Sequence, residues 1–437
     1  MKIISLCGLL GYGYSEEGLN IAFSEKVDYV GVDAGSTDPG PYYLGSGKSF
    51  TDRGAVKRDL ALALPKALSH KAPFIIGTAG GAGSDKHVEW LKDILFEIAK
   101  EKNLHFKLGV VYSDVTKEYV TKKLNEGKII NMSDEMPLIK EDVLNSERIV
   151  SQIGIAPIIK LIEEKCDVII CGRACDTAIY AAPCIYEGYK EGLAFHMAKI
   201  MECGSMCSTP VAATDVMQGY MYDDYFELTP ANPIRKCTVN TVAAHTLYEQ
   251  SNPYLIYEPD GVCDLTNSKF EQVSDRTVRV SGSQFFETEE KTLKLEGVKC
   301  SGYRTICPAT IYDPLTIKNF DFIKETVLNF VKDNTKGTLP EDSYTVTFKT
   351  SGGEESSFGI IIDTVGKTQE IADTVCALAR SRMLHCDYEG RKSTAGNLAF
   401  PFSPSDIHVG PVYEFSVFHL AKVDSLLETS KSVIENI

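Results

Sequence analysis

The stretch "KVDYVGVDAGSTDPGPYYLGSG", residues 26–47, decides how the fold is read. A short apolar run, "DYVGVD" (28–33), opens into a loop crowded with carboxylate, hydroxyl, glycine and proline. Apolar runs this short, bounded by turn formers, are strands buried on both faces. The same pattern recurs at "KIISLCG" (2–8), "PFIIGTAG" (73–80), "FKLGVVYS" (106–113) and "DVIICGRA" (167–174). Between these runs lie stretches of helical period at 16–26, 57–70, 85–102, 116–126 and 146–165, the last reading "SERIVSQIGIAPIIKLIEEK". Continuous apolar strands alternating with helices predict an α/β fold, a parallel sheet covered on both faces and Rossmann-like in its layering.

After residue 208 the pattern changes. "DRTVRVSGSQF" (275–285) and "KTLKLEGVKC" (291–300) alternate apolar and polar residues, as half-buried antiparallel strands do. A helix is expected over 318–333, and "NTKGTLPEDS" (334–343) has the composition of a linker. The last hundred or so residues read as strand (344–350), Gly-rich turn, strand (357–364), helix (367–384), strand (411–420) and a tail. The expected organisation is an α/β part over about 1–207 with a β-rich extension over about 208–335. A small α+β, ferredoxin-like domain follows over 344–437.

The chain has 437 residues, 43% of them hydrophobic, enough for a large core and more than one domain. Sixty Asp and Glu against 45 Lys and Arg give a formal net charge of −15. That balance argues against nucleic-acid and anionic-membrane partners, which need a basic face. Thirteen cysteines are scattered without a short-period framework, which reads as free thiols in a reducing cytoplasm. The N-terminus reads as a first strand and lacks the features of a signal peptide. No run of 18 apolar residues offers a membrane span.

Ligands of an open parallel sheet bind beyond the carboxyl ends of its strands. The five strands end in "GLLGYGYS", "DAGSTDPGP", "GTAGGAGSD", "YSDVT" and "GRACDTA", loops that gather along one edge if the sheet forms. Asp33, Ser36, Thr37 and Asp38 then line a shared cleft, although the same residues build a tight Asx/Pro turn equally well. In "IIGTAGGAGSDKHVEWL" the glycines, Gly80 and Gly81 among them, open backbone N–H groups to an anion, or serve close helix–strand packing. The spacing matches neither G-x-G-x-x-G nor the phosphate loop with its lysine, so no nucleotide cofactor is expected.

In "CGRACDTAIYAAP" (171–183), Arg173 suits a carboxylate, and Asp176 either caps a helix or moves a proton. "FHMAKIMECGSMC" (195–207) reads as a helix whose stripe carries His196, Lys199, Cys203 and Cys207. His196 and Lys199 form a candidate acid/base pair, each lowering the other's pKa. His245 and Glu249 stand four apart in "VAAHTLYEQSNPY" (242–254), a spacing that lacks the second histidine of a zinc-protease helix. Arg304, in "LKLEGVKCSGYRT" (293–305), is a second candidate carboxylate anchor.

"DAGSTDPGPYYLGSG", "KRDL", "GTAGGAG", "CGRACDTAIYAA", "HMAKIMECG", "CTVNTVAAHTLYEQSNPY", "EPDG", "VSGSQF", "KLEGVKCSGYRT" and "YDP" span residues 33–314. Together they resemble the acyclic terpene utilisation (AtuA-like) family. "SGGEESSFGIIID" and "NLAFPFSPSDIH" resemble the small ferredoxin-fold domain that accompanies it. "EPDG" departs from the usual Gly-Gly ending, and "ATIYDP" from a more glycine-rich approach to Asp-Pro. The resemblance implies small-acid or acyl-CoA catabolism, a cytoplasmic location and a two-part architecture, without supplying a reaction.

The reading that joins these features is an enzyme of carboxylate catabolism, a hydratase or C–C lyase acting on a branched carboxylic acid or its CoA ester. His196, Lys199, Asp176 and His245 are its candidate proton-transfer groups. Asp33, Ser36, Thr37, Asp38, Gly80, Gly81, Arg173 and Arg304 are its candidate substrate contacts. The cofactor is open, with a divalent cation as one option, and a homo-oligomer is expected. Two alternatives stand beside it: a metal-dependent hydrolase or isomerase with Asp33, Asp38, His196 and His245 as ligands, and a non-catalytic subunit of a catabolic complex.

Overall fold

The computed structural model describes residues 1–132, 137–250, 252–353 and 357–437. Part of the Gly-rich turn expected after residue 350, within "SGGEESSFGIIID", and residue 251 of "EQSNPY" lie outside the described residues. The chain divides into two compact units, residues 1–299 with 415–437, and residues 300–414. The linker-like stretch 334–343 falls within the second.

In the first unit the strands are β1 (Lys2–Ser5), β2 (Tyr29–Val32), β3 (Phe74–Ile76), β4 (Lys107–Tyr112), β5 (Ile129–Asn131), β6 (Arg148–Gln152) and β7 (Val168–Cys171). Five of them form a parallel set in the order β1-β2-β3-β7-β4. These are the five strands expected from sequence, and their alternation explains why both faces are covered. Ile4, Val30, Phe74, Leu108 and Ile170 pack with Leu60, Leu64, Leu91 and Leu95 of the helices Arg53–His70 and Asp85–Lys102. Ile3, Tyr29, Ile75, Val111 and Ile169 point the other way, onto the helices Ala156–Glu163, Ala178–Tyr186 and Glu191–Met201. Side chains two apart share a face, so each strand feeds both cores.

The sheet is larger and more mixed than a purely parallel one. β8 (Met217–Met221) pairs antiparallel with β1 and β9 (Tyr225–Pro230) with β8, and Val278–Ser281 and Lys269–Gln272 extend that edge. At the other edge the C-terminal segment Lys431–Asn436 pairs antiparallel with β4, so the expected tail is a strand and the sheet has ten. A separate antiparallel sheet joins Leu255–Glu258, Gly261–Asp264 and Gln284–Glu287.

The expected helix over 146–165 is corrected to a strand followed by a shorter helix. β6 carries the β-branched pair Ile149 and Val150 and finds a partner in Lys294–Val298. Helix begins only at Ala156, where Pro157 sits in the first turn, the place a helix tolerates it. The helix expected over 195–207 likewise ends at Met201, and a 3₁₀ turn follows at Gly204–Cys207.

In the second unit, Tyr303–Ile311 and Tyr344–Gly352 both pair antiparallel with Phe358–Gly366. Helices Phe320–Thr335 and Gln369–Leu384 supply Val327, Val331, Val375 and Ala379 to a core shared with Cys307, Ile311 and Ile362. No helix among the described residues is long and apolar enough to cross a membrane.

Candidate active-site cleft

The loops that follow β1 and β2 are tied down before they reach any ligand. Asp52 caps the helix Arg53–His70 by accepting the Ala55 N–H at 3.0 Å. Two turns further on, the fully buried Asp59 accepts the N–H groups of Gly11 at 3.0 Å and Gly13 at 3.1 Å. The Leu10 amide donates to the Asp33 carbonyl at 2.8 Å and the Ala34 amide to the Gly77 carbonyl at 3.1 Å, which locks three strand-end loops together.

They enclose a cleft of about 370 Å³. Gly8, Leu9 and Tyr12 come from the loop after β1, Asp33, Gly35, Ser36, Asp38 and Pro39 from that after β2, and Asp176 from that after β7. Glu202, Cys203 and Met206 close it from the end of the helix Glu191–Met201, and Tyr248 and Glu249 from beyond the helix Val239–Thr246. The site therefore lies beyond the carboxyl ends of parallel strands, as the topology requires.

Asp33 is the singular group. Its side chain is only 7% exposed; Oδ2 accepts the Gly35 amide at 3.2 Å, while buried Oδ1 has no hydrogen-bond partner. Burial, reinforced by the charge of Asp176, pushes its pKa well above the usual carboxylate range. Burial also raises Asp176, against the pull of Arg173 and Lys199. Two interacting carboxyls in one cleft part with their protons in separate steps, which belong to the pair and not to either residue alone. Next to Asp176, Thr177 Oγ1 donates at 2.8 Å to Glu258, the glutamate of "EPDG".

Of the other expected contacts, Ser36 and Asp38 line the cleft and Thr37 is turned inward. Ser36 Oγ donates to Asp38 Oδ2 at 2.7 Å and accepts the Asp38 amide at 3.2 Å, a turn built from its own residues. Gly80 and Gly81 do not line the cleft. They have φ of +61° and +98°, and a Cβ there would come within 2.8 Å of His87 Cβ and 2.7 Å of Phe50 Cβ. Close packing is what these glycines serve.

The helix stripe separates. His196 is buried, with Nδ1 2.6 Å from Ser283 Oγ and Nε2 3.0 Å from Thr246 Oγ1. Burial lowers its pKa to about 3, so it is a neutral, fully partnered core histidine. Lys199 turns instead to Glu202, forming a buried ion pair, and its ammonium lies 5.8 Å from the centre of the Tyr248 ring. The expected low pKa of Lys199 is corrected: burial opposes the charge, but the Glu202 carboxylate outweighs it and raises the pKa above the ordinary value. His245 stacks on Tyr248 with ring centroids 5.3 Å apart, its buried Nε2 unpartnered. Burial, then the Lys199 charge, lowers it to about 4.

Neither arginine is free for a substrate. Arg173 Nε donates to the fully buried Glu296 at 2.7 Å, and Arg173 also faces Asp176 at 3.4 Å. Arg304 belongs to the second unit, where it pairs with Asp363 at 2.9 Å. The four proposed metal ligands do not converge, and no group of three or more His, Cys, Asp or Glu among the described residues is placed to hold a metal ion.

A second, larger cleft of about 530 Å³ lies beyond β4, between Asp85, Asp114 and the segment Glu428–Lys431. Its carboxyls are already used: Asp114 accepts the Asp85 amide at 3.0 Å and Asp85 the Asp114 amide at 3.4 Å. The unpartnered Asp33 favours the smaller cleft as the seat of chemistry. Sequence reasoning passed over Asp59, quoted only within "KRDL", and the aromatic rim of Tyr12, Phe50 and Tyr248, for which no local motif signals a role.

A mixed α/β sheet with an acid-lined cleft at its strand ends defines the class of protein. The chain matches the family model described as acyclic terpene utilisation family protein AtuA over residues 52–218 and 230–379, and it belongs to that family. Comparison with curated proteins and with solved structures returns no match.

Proposed function

We propose that this protein is a hydro-lyase of branched acyl compounds, adding water across, or removing it to form, a double bond next to an acyl carbonyl. The observation that carries the reading is the Asp33–Asp176 pair, two carboxyls raised by burial in one cleft, one with an unpartnered oxygen. Such a pair holds an acid and a base side by side. Membership of a family of acyclic terpene utilisation agrees with catabolism of branched acyl chains.

In the hydration direction, ionised Asp176, favoured by Arg173 and Lys199, takes a proton from water as the water oxygen bonds to the β-carbon. The π electrons move toward the acyl oxygen, which receives a hydrogen bond from the protonated Asp33. The proton of Asp33 then passes to the α-carbon, and exchange with solvent returns the pair to its starting state. Water is consumed and no oxidant or reductant is needed. The strand, strand and helix at Tyr344–Gly352, Phe358–Gly366 and Gln369–Leu384 support the ferredoxin-like reading of the part that begins at residue 344.

The test is turnover of branched 2-enoyl thioesters and free acids, followed by loss of enoyl absorbance. Asp33→Asn and Asp176→Asn are each expected to lower kcat by about 10²–10⁴-fold with the circular dichroism unchanged. Full activity in both variants, or a folded protein that turns over none of these compounds, would contradict the reading.

A further inference from the structure

We infer that the cleft takes its acyl group as a neutral thioester and rejects the corresponding free carboxylate. The inference rests on the hydro-lyase reading for the identity of the acyl group, and on the charge of the cleft wall for the selection. Five carboxyl side chains line the wall, Asp33, Asp38, Asp176, Glu202 and Glu249, and among the described residues no lysine or arginine does. The two cations behind the wall are spent, Arg173 on Glu296 and Asp176 and Lys199 on Glu202. With Asp33 protonated in the hydro-lyase reading and Glu202 paired with Lys199, a substrate carboxylate entering here still meets the acidic side chains of Asp38, Asp176 and Glu249. Among the described residues no unpaired cation on the wall offsets them, and repulsion grows as water is displaced.

A thioester carbonyl meets the opposite reception. It accepts one hydrogen bond and carries no charge, and the protonated Asp33, whose buried Oδ1 is unpartnered at the cleft wall, is placed to donate it. The aromatic rings of Phe50 and Tyr248 suit a short branched chain. At about 370 Å³ the space sits at the lower end of ligand pockets, enough for the acyl end and not for a large carrier. The carrier therefore extends past Asp38 and Glu249, both exposed at the mouth.

The experiment is calorimetric binding to the full chain at pH 7.5 of 3-methylbut-2-enoic acid and of its N-acetylcysteamine thioester. The thioester is expected to bind on the order of 100-fold more tightly, the scale of one unscreened like-charge contact. In the Asp38→Asn/Glu249→Gln double variant the preference for the thioester over the acid is expected to shrink about tenfold. Equal or tighter binding of the acid, or binding of neither compound, overturns the inference. Because binding needs no turnover, the two ideas fail separately. A thioester that binds selectively without being hydrated removes the hydro-lyase reading alone, and an acid that is bound and hydrated removes the charge selection alone.

Discussion

Glu296 and Asp33 are both buried carboxyls within the field of Arg173, yet their surroundings push them in opposite directions. Glu296 has Arg173 Nε at 2.7 Å and Lys294 Nζ at 2.7 Å. Burial opposes its charge, but the two cations prevail and hold its pKa at about 2. Asp33 has one backbone amide, an unpartnered oxygen and a carboxyl neighbour, and its pKa rises. A buried carboxylate flanked by two cations is scaffold. A buried acid left partly unpartnered at the wall of a cleft is available for chemistry.

The largest effect expected from that contrast is on stability. Replacing Glu296 by Gln removes a group whose pKa falls from 4.5 to about 2 on folding, a difference worth about 3 kcal/mol near neutral pH. The sign follows from proton binding: between these values the unfolded chain binds the proton and the folded chain does not. The wild type therefore keeps this stability above pH 4.5 and loses it as pH falls toward about 2. Urea unfolding at pH 7 and at pH 3 should show the gap between wild type and Glu296→Gln shrinking at the acid end, and an equal gap at both would refute the assignment.

Asp59→Ala comes next. It deprives the Gly11 and Gly13 amides of their acceptor, at a cost of about 2 kcal/mol. It should also raise KM, because the loop carrying Leu9 and Tyr12 is no longer tethered. Unchanged melting and unchanged KM together would show that the cleft does not depend on this anchor. The smallest effect is that of Ser36→Ala. The hydroxyl closes an exposed turn with Asp38, so melting should move by less than about 0.5 kcal/mol in stability terms. A large loss would mean that the turn carries more of the fold than its exposure suggests.

The same contrast explains what was legible in the sequence. The five parallel strands announced themselves because each is an apolar run ending in turn formers, and that periodic signal is local. The placing of Asp33, Ser36, Asp38 and Asp176 at one cleft followed from topology alone. Partners were not legible. Nothing in "FHMAKIMECGSMC" tells that His196 faces Ser283 and Thr246, because those partners are chosen by packing across distant segments; only the partner of Lys199, Glu202 three residues on, stood within the stretch itself. Arg173 read as a substrate anchor for the same reason, its consumer Glu296 lying more than a hundred residues away. "SERIVSQIGIAPIIKLIEEK" misled because a strand rich in isoleucine and valine, joined to a helix, mimics one long helical period. The C-terminal strand Lys431–Asn436 is a half-exposed edge, and its polar composition hid it.

The most direct measurement is an infrared titration of the protonated carboxyl stretch, wild type minus Asp33→Asn, on the ligand-free protein between pH 4 and pH 9. The account predicts a difference band from a protonated Asp33 that persists well above the range where aspartates ordinarily ionise. It also predicts that Asp176→Asn, which removes the neighbouring charge, moves the loss of this band to lower pH. A band already gone at pH 5, or one indifferent to Asp176, would contradict the claim that this cleft holds a coupled acid and base.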